Sequence, residues 1–86
     1  MEEEINTFLV EDAVFTERGW MLIGEVEGGI STGNYLAFDN GFAPVVKELK
    51  HIRETGQAGV IIPQPFLSKQ DLIDQNIIGA VARIIE

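Results

Sequence analysis

The chain has no cysteine, one histidine and only six lysines and arginines against 14 acidic residues. Without cysteine there is no disulfide framework and no thiolate metal site, which suits a reducing compartment. His51 stands alone, so a zinc site has no second ring or sulfur ligand to complete it. It lies among Lys47, Lys50 and Arg53 and reads as a solvated strand residue. A single histidine without a G-x-S-x-G elbow gives no serine–histidine–aspartate set. The absence of G-x-x-x-x-G-K-[ST] removes the usual phosphate loop, so GTP binding is not expected. No apolar run approaches the ~20 residues of a membrane span, and the acidic MEEE start is the reverse of a signal peptide. The expectation is a soluble, cytoplasmic protein.

Scarcity of positive charge matters most. Phosphate binding gains affinity from Lys and Arg displacing counterions, so a formal charge of −8 disfavours autonomous nucleic-acid binding. It would steer a basic protein partner toward the surface; the plainer reading is that acidity keeps a small domain soluble. Eighty-six residues, 45% of them apolar, make one domain with a small core, burying roughly 60–65% of the unfolded surface. Met1–Glu4 reads as an acidic tail and residues 5–86 as the domain.

Residues 20–27 carry the clearest pattern. Trp20, Leu22, Gly24 and Val26 alternate with Met21, Ile23, Glu25 and Glu27, as on the two faces of a strand. The tryptophan set reads as interior, with Gly24 leaving room for a bend or a close backbone. Gly28-Gly29 ends the strand and Gly33-Asn34 makes a turn into a second strand, Tyr35–Phe38, which predicts a hairpin. Upstream, Ile5–Phe15 predicts two strands joined by a bulge or corner at Glu11-Asp12, with Thr16–Arg18 turning into the central strand. Downstream, Asn40-Gly41 predicts a primed hairpin turn, Phe42–Ile52 a long strand with Pro44 near its start, and residues 54–59 a loop. Gly59–Ile62 predicts a short strand stopped by Pro63 and Pro65. Ser68-Lys69-Gln70-Asp71 has the form of a capping box opening a short helix near residues 69–75, ended by Asn76 in the left-handed region. Ile77–Ile85 is the last strand, with Gly79, Ala80 and Ala82 suited to a crowded seam. Short strands between glycine-rich turns give an all-β barrel.

Arg18-Gly19, then Gly24-Glu25-Val26-Glu27-Gly28-Gly29, then Gly33 resembles the R-G…G-R-V-E-R-G…G signature of the second domain of translation GTPases of the elongation factor Tu type. Val10-Glu11-Asp12 and Val14-Phe15 are similar to that family's V-E-D-V-F strand, Gly56–Ile62 to its A-G-x-x-x-G-L-L strand, and Lys69, Asp71, Ile73 and Asp74 to its K-x-E-x-I-E turn. The likeness covers roughly residues 8–83. It implies a closed Greek-key β-barrel of about six strands. In the family's aminoacyl-tRNA carriers one barrel wall holds the tRNA 3′ end. The resemblance places Glu11, Asp12 and Arg18 there by residue type, but Ile23 replaces a threonine and Lys50 stands near an acidic position.

Catalysis is not expected. Glu25 and Glu27 share a strand face, but nothing apolar is expected to bury either and raise its pKa, and Glu11-Asp12 reads as turn chemistry. Met21 and Ile23, pointing outward beside Glu25, read as an apolar contact patch. The candidate partner-binding wall is thus Glu11, Asp12, Arg18, Met21, Ile23 and Glu25, with no cofactor and no metal. Three functions are carried forward. The first is a non-catalytic module binding a protein partner; the second is a detached translation domain touching tRNA or a ribosomal factor. The third is a small acidic inhibitor or immunity-type protein masking a basic partner.

Overall fold

The computed structural model describes residues 6–63 and 68–86; the expected acidic tail and Pro65 lie outside them. The fold is all-β. Among the described residues six strands form one antiparallel sheet: β1 (Thr7–Thr16), β2 (Gly19–Glu27), β3 (Tyr35–Ala37), β4 (Glu48–Ile52), β5 (Gln57–Ile62) and β6 (Val81–Ile85), with a single short helix, α1 (Lys69–Asp74), before β6. The order across the sheet is β3-β6-β1-β2-β5-β4.

The central strand is oriented as its alternation predicts. Trp20, Leu22 and Gly24 are buried, while Glu25 and Glu27 are exposed. Trp20 and Leu22 join Phe8, Val10, Ala13, Leu36, Phe38, Val46, Val60, Ile62, Leu72, Ile77 and Ala82 in one core. Each large aliphatic or aromatic side chain so buried contributes about 1.5–3 kcal/mol.

β1 is one strand with a bulge, not two strands around a corner. Its register on β2 passes from Val10↔Gly24 to Asp12↔Ile23, leaving Glu11 as the extra residue. Val10 and Ala13 are three positions apart and would fall on opposite faces of a regular strand. The bulge restores the face, so both enter the core. Gly24 sits opposite this irregularity, where a Cβ would lie 1.6 Å from the Leu9 carbonyl oxygen. Only a residue without a side chain fits.

Several local expectations are corrected. β2 does not form a hairpin with the strand at 35–38: β2 pairs with β1 and β5, and β3 pairs with β6. The connection through residues 28–34 therefore crosses two strands. The Asn40-Gly41 turn is not of the primed type, which needs positive φ at both central residues. Only Gly41 is left-handed there. Gly41 N–H donates to the Phe38 carbonyl and Phe38 N–H to the Phe42 carbonyl, so Asp39-Asn40-Gly41 is a three-residue loop. The long strand expected over 42–52 is divided. Residues 42–46 bond across to 33–38, through Leu36 N–H to Pro44 O at 2.9 Å and Val46 N–H to Asn34 O at 2.7 Å. Regular pairing with β5 occupies only Glu48–Ile52. β5 begins two residues earlier than expected, at Gln57. Gly79 is exposed, and a Cβ there would meet nothing within 4 Å; its φ of +91°, not crowding, calls for glycine.

The helix is capped as the sequence implies. Ser68 Oγ accepts from Asp71 N–H, and Asn76 stands at φ +59° beyond the C-cap Gln75. Asn76 N–H donates to Ile73 O and Ile77 N–H to Leu72 O. These are the two bonds of a Schellman ending, accompanied by its usual apolar contact pair, since Leu72 and Ile77 are both fully buried in the core.

Candidate functional site

Outward side chains of β1, β2 and β5 fall in rows fixed by the register. One row runs Val14, Met21, Ile61 and Glu48; the next runs Asp12, Ile23, Gly59 and Lys50. Beyond the bulge a third row runs Glu25, Leu9 and Val81. Directly opposed residues in such rows have Cβ atoms about 4.5–5.5 Å apart. Asp12, Ile23, Met21 and Glu25 thus share one outer surface, as the sequence implied, with Glu11 at the bulge and Arg18 in the β1–β2 turn.

The charged members of this wall are engaged within the chain. Arg18 pairs with Glu48 and its carbonyl accepts from Lys47 Nζ. Glu11 accepts from Gln57 Nε2 at 3.1 Å. Asp12 takes an ion pair from Lys69 at the start of α1 and a hydrogen bond from Ala13 N–H at 2.8 Å. The Lys69 hydrogen bond foremost, then that of Ala13, holds the Asp12 carboxyl below its ordinary value, against a small opposing effect of burial.

Met21 and Ile23 are half-buried, correcting the expectation that they stand exposed. Gly59, across from Ile23, lets the Met21 thioether lie flat on β5: a Cβ at 59 would be 2.7 Å from Sδ. Ile61, beside Met21, is fully buried. This part of the wall packs on itself.

On this wall only Val14 is exposed among the large apolar side chains; the more exposed ones lie elsewhere, and sequence reasoning missed them. Val81 is 52% exposed, Ile85 45% and Tyr35 46%, with Tyr35 and Ile85 cross-strand partners on β3 and β6. Phe15 is 71% exposed and meets Trp20 edge-on at 5.4 Å. Their signal was faint because β6 is apolar at nearly every position, so its alternation does not mark the outer face. Between β6 and β2 lies a depression of about 200 Å³ lined by Thr7, Leu9, Glu25, Glu27 and Val81. Unlike Asp12 and Arg18, neither Glu25 nor Glu27 forms an ion pair with a described residue.

Among the described residues no polar or charged side chain is buried, and no three His, Asp or Glu side chains gather as a metal site. His51 is exposed on β4 opposite Ala58. No described helix is long and apolar enough to cross a membrane. No family model, no curated protein and no solved structure matches this chain.

Proposed function

We propose that this chain is a non-catalytic binding module of the cytoplasm, a closed Greek-key barrel like the second domain of translation GTPases, whose outer β1–β2 wall contacts a protein partner. Closure is supported by the segment 42–52. Its first part bonds to residues 33–38 beside one end of the sheet, and its second part is β4 at the other end. The family kinship rests on the ordered motifs, with the bulge at Glu11 and the close approach at Gly24 falling inside them.

A binding role is carried by one observation. Uncovered apolar side chains border carboxylates that have no ionic partner among the described residues on the β2–β1–β6 face, whereas general acid–base catalysis draws its tuned groups from buried ones. The charge favours a basic partner over nucleic acid. Photo-crosslinking residues placed singly at Glu25, Val81 and Ile23, and at Gln70 and Glu54 as remote controls, test this in the native host. A discrete protein adduct from the first three positions alone is expected. Adducts to RNA, or none above the controls, would defeat the reading.

A further inference from the structure

We infer that the depression between β2, β1 and β6 is a receptor for one long basic side chain of a partner protein, with its aliphatic stem on Leu9 and Val81 and its cationic head between Glu25 and Glu27. The inference rests on the binding-module reading and names the partner's chemistry at that wall.

Register builds the site. Leu9 stands between Glu25 on one side and Val81 on the other, and Thr7 between Glu27 and Arg83. The apolar pair Leu9 and Val81, on β1 and β6, is therefore bordered along β2 by two carboxylates on the same face, about 7 Å apart along the strand. Lysine and arginine side chains are amphipathic in this same sense, with an apolar stem and a charged tip.

Size and charge narrow the occupant. The volume of about 200 Å³ is below the ~300–1,000 Å³ usual for small-molecule pockets, but it accommodates one extended side chain. Two carboxylates without an ionic partner among the described residues repel phosphate, so nucleic acid is disfavoured at this spot as well as overall. A second copy of the chain also carries −8 and would approach against its own field. Asp12 and Arg18, by contrast, already hold internal partners, which shifts the available charge along β2 to residues 25 and 27.

The test is a titration of the intact chain with the peptide acetyl-Arg-Leu-Arg-amide, followed by amide NMR at low salt. The citrulline analogue supplies the same shape without charge, and guanidinium ion at equal ionic strength supplies the charged head without an apolar stem. Shifts centred on Leu9, Glu25, Glu27 and Val81 are expected with the arginine peptide alone. Affinity should fall about tenfold in E25Q/E27Q and about threefold in V81T, both exposed changes that leave the core untouched. Shifts scattered over Asp39, Glu54 and Asp74, or equal binding by E25Q/E27Q, would overturn the inference. In the host, crosslinks persisting unchanged in E25Q/E27Q would overturn it while sparing the binding-module reading. Wild-type chain giving no crosslinks would remove both.

Discussion

Gly24 and Leu9 meet backbone to backbone, with the space for a Cβ on Gly24 already filled by the Leu9 carbonyl oxygen. Gly24→Ala therefore forces the β1–β2 ladder apart and should cost about 3 kcal/mol, the upper end for overpacked sites. Gly33→Ala is the control. There φ is +92° but nothing lies within 4 Å, so only the left-handed strain of about 1–2 kcal/mol applies. Urea denaturation of both variants measures the difference; equal losses would contradict the close approach.

Leu22 and Met21 are chain neighbours with opposite fates. Leu22 is fully buried in the core, and Met21 is half-buried on the outer wall. Leu22→Ala should lose about 2–5 kcal/mol, whereas Met21→Ala should lose about 1 kcal/mol, within the ordinary range for partly exposed sites. Chemical denaturation followed by Trp20 fluorescence reads both. A reversed ranking would turn the central strand inside out.

Asn76 closes α1 at positive φ. Asn76→Gly should be neutral or slightly stabilising, and Asn76→Ala should cost about 1 kcal/mol, because only the alanine Cβ resists that conformation. Ser68→Ala should cost a similar amount, about 1 kcal/mol, by removing the acceptor for Asp71 N–H. Thermal melts of the three variants check the ranking.

Asp12 supplies a pH dependence of defined sign. Its folded-state pKa is lowered from 3.8, first by the Lys69 hydrogen bond. The group therefore stabilises the fold fully above 3.8, and that contribution disappears as pH falls through the lower folded value. Since both partners are half-exposed, the pair should be worth under about 1 kcal/mol and be weakened by salt. In Lys69→Gln, carboxyl-carbon NMR should find the Asp12 midpoint moved upward. An unchanged midpoint would remove Lys69 as its cause.

What the sequence made legible was local. Alternation at 20–27 set the inward face, since Glu25 and Glu27 mark one side as solvent-facing and leave Trp20, Leu22, Gly24 and Val26 to the other. The capping of α1 was readable from residue types with narrow backbone preferences, whereas at Glu11-Asp12 the sequence left a bulge and a corner both open and only the register shift decides for the bulge. Strand pairing was not readable. The segments at 20–27 and 35–38 are neighbours in sequence, yet β6 and β1 intervene between them, and no short-range rule anticipates that. Asn40 misled for a related reason. Its side chain accepts from Phe42 N–H and donates to Gln75 O at the end of α1, so a tertiary contact accompanies a turn different from the one dipeptide preference suggests. The wall was half visible: residue types located Asp12, Ile23 and Glu25 on one surface. Their ionic partners and the apolar strip on β6 depend on elements far along the chain.

The placement of β6 between β3 and β1 bears on how the chain assembles. β3 bonds locally to residues 42–46, but it joins the sheet only when a segment more than forty positions downstream arrives, and β1 keeps one edge bare until the same event. Distant closures of this kind slow the folding search. The rate-limiting step is then expected to be insertion of 81–85 as the keystone. Substitutions on β6 should retard refolding, while those confined to the 39–41 loop should chiefly hasten unfolding.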